Sequence, residues 1–210
     1  MTEDTEIDVD QLRTELDQIK DAMGIQERYS GATSMWLLFG IAVPVASALS
    51  QYVFTNGLAP WLHALVWAGV LGGGYAIWWV VSEESAALEV RTDGKPNLFV
   101  QFGLVYVAVI PIQLAVAPFL PELGYVEEAL FVQSLIVILI GLAYGIFGSS
   151  LAAYYVRRRD RAVFYVGTLW MFALGVAIPQ VDLLRAWPHA AFGGLYFVYA
   201  MAAYAVLTRT

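Results

Sequence analysis

The only two histidines of this 210-residue chain stand in one frame, Trp-x-His-Ala: Trp61-Leu62-His63-Ala64 and Trp187-Pro188-His189-Ala190. An imidazole ligates metals and carries protons near neutral pH. Two of them with a carboxylate are a minimal set for zinc or another divalent ion. Glu122, Glu127, Glu128 and Asp182 are the carboxylates expected at the same end of the molecule. Against a metal centre, His63 and His189 come from distant segments with no local ligand spacing. The frame also has a simpler cause, since Trp gathers at the membrane–water interface and a histidine beside it solvates the first turn of a helix. A bis-histidine haem is disfavoured because Trp67, four residues past His63, fills the space beneath that ligand. The expectation is no metal, no haem and no other cofactor, with His63, His189 and Asp182 as the residues a metal would use.

Serine chemistry fares no better. "GSS" at 148–150 and a histidine near 189 suggest an intramembrane serine protease of the rhomboid kind, but the chain reads Gly148-Ser149-Ser150-Leu151 and lacks Gly-x-Ser-Gly. Ser149 also lies 21 residues beyond Glu128 on one helix, or about 31 Å along its axis. No proton passes from Ser149 to His189 over that distance. No catalytic residue is assigned, and the chain is expected not to be an enzyme.

The elements that must position these residues are long apolar runs. Hydrophobic residues make up 60% of the chain and charged ones 14%, against about 45–50% and about 25% in soluble domains. Six runs, near 32–54, 59–82, 98–119, 128–156, 162–183 and 187–208, are long enough to span a bilayer. The predicted fold is all-α: a six-helix transmembrane domain over 32–210, preceded by an acidic segment, 1–31. That segment has no basic n-region, so it does not read as a cleaved signal peptide. There is no cysteine, hence no thiol chemistry.

Basic residues set the expected orientation. Ten of the eleven lie in segments on one side of an alternating topology: Arg13, Lys20, Arg28, Arg91, Lys95, Arg157, Arg158, Arg159, Arg161 and Arg209. Arg185 alone falls on the other. The positive-inside rule then places both termini in the cytoplasm of a cell-membrane protein, with His63 and His189 at the outer ends of spans 2 and 6. "RRRDR" at 157–161 reads as a topogenic anchor, or more sharply as a contact for anionic lipid or a partner. The net charge of −7 argues against nucleic acid as a partner.

Within 1–31, Val9, Leu12, Leu16, Ile19 and Met23 recur at spacings of 3, 4, 3 and 4, the a/d seam of a coiled coil. Asp8 with Arg13 and Glu15 with Lys20 fall at complementary g and e positions. Two readings stand: an amphipathic helix against the bundle's cytoplasmic face, or an oligomerisation or partner-docking helix through residues 8–23. Binding to the membrane surface is disfavoured because the polar side of the helix is acidic.

The spans also look related. Spans 1, 3 and 5 carry "GIAVP", "VAVIP" and "GVAIP", ending at Pro44, Pro111 and Pro179. Spans 2, 4 and 6 carry "GGGYAIW", "GLAYGIF" and "GGLYFVY", centred on Tyr75, Tyr144 and Tyr196. This suggests three tandem helical hairpins. Small pairs four apart, Gly69 and Gly73, Gly141 and Gly145, Ala190 and Gly194, are expected to let helices pack closely, which makes spans 2, 4 and 6 candidates for an inner layer. The central layer carries no ionisable side chain apart from tyrosine, so ion-coupled transport is disfavoured.

The nine acidic residues of 1–31, the two lysines against nine arginines and the Ala/Gly/Val-rich spans together resemble multi-pass membrane proteins of halophilic archaea. That resemblance carries no site residue with it. The functional expectation is a non-enzymatic assembly or accessory membrane subunit, which could be a homo-oligomer. Passive conduction of a small neutral or lipidic solute is the alternative, and metal or haem binding through His63 and His189 is remote.

Overall fold

A computed structural model of the chain describes residues 33–81, 97–119 and 123–209, together with Glu15 and Ile19. The described residues form helices and no strand: α1 Thr33–Thr55, α2 Trp61–Val81, α3 Leu98–Val107, α4 Val109–Val116, α5 Tyr125–Ser150, α6 Arg158–Ala177, α7 Asp182–Ala186 and α8 Pro188–Thr208. Among the described residues, four stretches are long and apolar enough to cross a membrane: Met35–Thr55, Val100–Phe119, Tyr125–Tyr154 and Pro188–Thr208. Trp61–Ile77 is apolar but shorter, and α6 opens on Arg158, Arg159, Asp160 and Arg161. Of the N-terminal seam, Val9, Leu12, Leu16 and Met23 lie outside the described residues. Glu15 and Ile19 are helical and exposed.

Packing does not follow the order of the chain. The most extensive helix contacts join α1 to α8 and α5 to α6; α2 leans on α1, and the α3–α4 arm leans on α5. Two of the three expected hairpins thus pack as neighbours, α1 with α2 and α3 with α5, whereas α6 and α8 touch little. The inner-layer expectation is corrected in the same way. The buried core draws on Trp36 and Val43 of α1, Val137 and Tyr144 of α5, Met171 and Leu174 of α6, and Phe192 and Ala200 of α8. Span 2, here α2, is peripheral.

The three matching prolines meet three different fates. Pro44 lies inside α1. Pro111 comes just after a break at Ala108, which ends α3 and starts α4; its ring clashes with the preceding turn and it offers no N–H to Val107. Pro179 lies just past the end of α6. One sequence motif therefore yields a continuous helix, a break and a stop, depending on the residues downstream of it and the side chains packed on it.

The bundle has two dissimilar ends. At one, Trp36, Tyr144, Phe164 and Tyr199 form an aromatic knot. The Trp36 ring lies 5.5 Å from Phe164 and 5.7 Å from Tyr199, the second contact edge-on at 74°, a favoured geometry for aromatic pairs. Deeper in, the buried hydroxyls of Tyr144 and Tyr196 are 2.7 Å apart, so two of the three motif tyrosines bond to each other. Tyr199 donates to the Val163 carbonyl at 2.9 Å. The opposite end is polar.

Candidate functional site

The polar end is built on the second half of α1. Ser47, Ser50, Gln51 and Phe54 are buried, and their spacing of three, four and seven residues puts them on one helical face. That face meets the start of α8. Gly193 permits the approach, since a Cβ there would sit 2.6 Å from the Ser47 Cβ and 3.2 Å from the Pro44 Cα.

Gln51 holds this junction together. The first turn of any helix leaves backbone N–H groups without intrahelical partners. Trp187, the N-cap of α8, has no side-chain acceptor to offer them, and Pro188 at the first helical position has no N–H. Gln51 Oε1 supplies the acceptor from another helix, receiving His189 N–H at 3.1 Å and Ala190 N–H at 3.2 Å. Its Nε2 donates to the Ala186 carbonyl and to Thr55 Oγ1, each at 3.1 Å. Only one orientation of the amide satisfies these four partners, so its oxygen and nitrogen are unambiguous.

His189 and His63 meet directly above this cap. Their rings stack at 4.9 Å between centroids and 28° between planes, and Phe54 meets His189 edge-on at 5.8 Å. His189 is 6% exposed; His63 is half-buried. Both Nδ1 atoms are buried without a hydrogen-bond partner, as are the hydroxyls of Ser47 and Ser50. Phe54 also stacks on Tyr125 of α5 at 6.3 Å, and the Tyr125 hydroxyl donates to the Leu58 carbonyl at 3.4 Å. Arg185 donates to the Pro179 carbonyl at 3.0 Å and faces Glu127 at 3.8 Å. Five helices, α1, α2, α5, α7 and α8, are thus gathered at this end.

The geometry bears on the chemistry considered from sequence. The structure brings His63 and His189 together. Imidazole lone pairs lie in the ring planes, so two stacked rings do not aim them at one point, and a shared ion requires a ring to rotate. Asp182 is exposed on α7, and among the described residues no three His, Cys, Asp or Glu side chains converge as ligands. Ser149 is exposed at the far end of α5 from Glu127, a helix of 26 residues and about 39 Å. Ser150 donates to Gln101 at 2.7 Å. Both serines therefore sit at the end opposite the histidines.

The small-residue pairs divide. A Cβ on Gly141 would meet Met171 and Phe172 at 3.0 Å, and one on Gly145 would meet Thr168 Oγ1 at 3.1 Å, so this pair seats α6 on α5. Gly69, Gly73 and Gly194 have no described residue within 4 Å of that position, and Ala190 is half-buried beside the Gln51 cap.

Sequence reasoning missed Ser47, Ser50 and Gln51. Their signal was present: three polar residues at helical spacing in the last turns of an otherwise apolar run. Comparison with protein-family models, curated proteins and solved structures gives no match.

Proposed function

We propose that this chain is a multi-pass subunit of the cell membrane, crossing it six times with both termini in the cytoplasm, and that it works by assembling with another membrane helix, its own copy or a partner protein, rather than by catalysis. The carrying observation is a face of α2 that no described residue covers. Gly74 turns toward α1, where a Cβ would lie 3.2 Å from Leu38 Cδ1. Gly69, Gly72 and Gly73 turn the other way with no described residue within 4 Å, flanked by exposed Ala68 and Ala76. Each glycine costs a helix about 1 kcal/mol relative to alanine, and lipid gives nothing back for it. A second helix does, because small residues admit close backbone approach where packing drives association. The α3–α4 arm is a useful contrast: its outward residues, Leu104, Ile110 and Leu114, are bulky, as suits a face met by lipid tails.

Six crossings agree with the lengths of α2 and α6, 21 and 20 residues, each about 30 Å. The α6 charges are confined to its first turn. Arg185 and Glu127 sharing one end with His63 and His189, opposite Arg157–Arg161, is what the basic-residue asymmetry requires. Single cysteines at Asn56 and Arg185 should label from outside intact cells, and one at Asp93 should not; the reverse pattern overturns the orientation. Assembly itself is read by light scattering in mild detergent and high salt. The native chain should exceed its 23.1 kDa protomer mass or retain a partner, and Gly69→Leu with Gly73→Leu should fall to the protomer with helicity unchanged. Unchanged mass together with solute flux through native proteoliposomes would favour a channel instead. The acidic helix of 1–31 is proposed to add to assembly through its Val9–Met23 seam, which deletion of residues 1–24 or Leu16→Asp examines by the same mass measurement.

A further inference from the structure

The stacked histidines sit where positive charge is disfavoured. His63 occupies the first turn of α2 and His189 the first turn of α8. Both rings therefore lie at the positive ends of helix dipoles, where a cation is disfavoured. Their centroids are 4.9 Å apart, so two protonated rings would also repel each other. The charged and titratable groups on the elements around them offer no relief. α1 contributes neutral Gln51 and Thr55, with Tyr52 exposed. α5 contributes Tyr125, packed on Phe54, and Glu127 and Glu128, both exposed. α7 contributes exposed Asp182, and Arg185, which faces Glu127. Neither α2 nor α8 carries a charged residue in its described length. Among the described residues no carboxylate forms an ion pair with either imidazole.

The stack is also one of few ties between α2 and α8. α2 rests chiefly on α1, and the ring contacts between described residues that reach across to α8 are His63 with His189 and, one turn below, Trp67 with Phe192 at 6.5 Å. The α8 side of the junction is fixed by the four-bonded Gln51, while the α2 side has no comparable anchor: His63 makes no hydrogen bond through its buried Nδ1. Among the described residues, α2 is the less firmly tied of the two helices at this junction.

We propose that the His63–His189 stack is an acid-operated latch that holds the histidine end of α2 against α8 while both rings are neutral and releases it when they are protonated. The sign comes from the geometry. The closed form accepts fewer protons than the open form, so acid favours opening, and closure is complete above the ordinary imidazole range. Release leaves the Gln51 cap and the α1–α8 pair intact, because neither depends on the imidazole nitrogens. The latch concerns the position of α2 and holds whether or not the glycine face of that helix binds a partner.

The test is a distance measurement. The chain has no cysteine, so Leu65→Cys on α2 and Leu195→Cys on α8, both exposed, carry spin labels without background. In liposomes, double electron–electron resonance at pH 8 should give one narrow distance. At pH 4.5 the distribution should shift to longer distances by several ångströms and return on neutralisation. His63→Phe with His189→Phe keeps two stackable rings and removes both titrating sites, and should give the pH 8 distribution at both pH values. If that double variant does not fold, His63→Gln alone, which removes the mutual repulsion, should reduce the shift to under half. An unchanged native distribution at pH 4.5, or an equal shift in the variants, overturns the latch. The labelled pair reports on a single chain and is diluted with unlabelled protein, so loss of assembly alone does not produce the signal.

Discussion

Replacing Gln51 by leucine preserves the bulk of the side chain and removes every one of its hydrogen bonds. In the native chain Oε1 receives the His189 and Ala190 amides, and Nε2 serves the Ala186 carbonyl and Thr55. Gln51 is 5% exposed, so water does not replace these partners. Loss of a helix N-cap costs about 0.5–2 kcal/mol, and each buried polar group left unpaired about 1–3 kcal/mol. The two amides share one acceptor and Thr55 retains its bond to the Gln51 carbonyl, so the terms overlap, and the expected loss is about 2–4 kcal/mol. Gln51→Glu should fall between leucine and the native residue, since a carboxylate still accepts at the positive end of α8 but cannot donate to Ala186. Reversible unfolding in mixed micelles, titrated with sodium dodecyl sulfate and monitored by circular dichroism, reads the difference. Gln180→Ala is the control: its amide bonds only the Val176 carbonyl at an exposed site, and it should stay within about 0.5 kcal/mol. If Gln51→Leu also stays within that margin, the cross-helix cap contributes nothing and the description of the junction is wrong.

The same titration checks further expectations. Tyr144→Phe and Tyr196→Phe should each cost about 1 kcal/mol, and the double variant less than their sum, because each single change strands the other hydroxyl; strict additivity would mean the 2.7 Å contact is not a bond. Gly167→Ala should cost about 1–3 kcal/mol from overpacking, since its Cβ would lie 2.5 Å from the Tyr199 hydroxyl and 2.8 Å from Tyr144 Cδ1. Gly194→Ala, with open space there, should be neutral or slightly stabilising. Ser50→Ala removes a fully buried hydroxyl that has no partner and should stabilise by up to about 1 kcal/mol; a loss above 1 kcal/mol would show that the hydroxyl is bonded.

Each structural feature was legible in the sequence to the extent that its physical cause is local. Apolar length is a property of a contiguous segment, and so the helical membrane character was legible, as was a common end for His63, His189, Glu127 and Arg185. Lateral packing is not encoded that way. Gly141 and Gly73 look alike in sequence, yet one seats against Met171 and Phe172 while the other meets no described residue, because the difference lies in which helices arrive beside them. Mean apolarity is high all round these helices, so no stripe marks the inward face, and α2 could not be told from α5. Gln51 was hidden for a related reason: its partners are backbone amides 138 and 139 residues away, and a backbone donor leaves no residue type to recognise. The stacking of the histidines likewise needed the α1–α8 pairing that brings both first turns to one place.

The assembly proposal is tested most directly by photo-crosslinking in intact membranes. A benzophenone side chain replaces Leu65, on the exposed side of α2 that carries Gly69 and Gly72, or Leu114, on the bulky outward face of α4; the two native residues are 57% and 71% exposed in the isolated chain. Assembly through α2 predicts an ultraviolet-dependent protein adduct at position 65, abolished by Gly69→Leu with Gly73→Leu, and none at position 114. No adduct at position 65, or equal adducts at both positions, would contradict it.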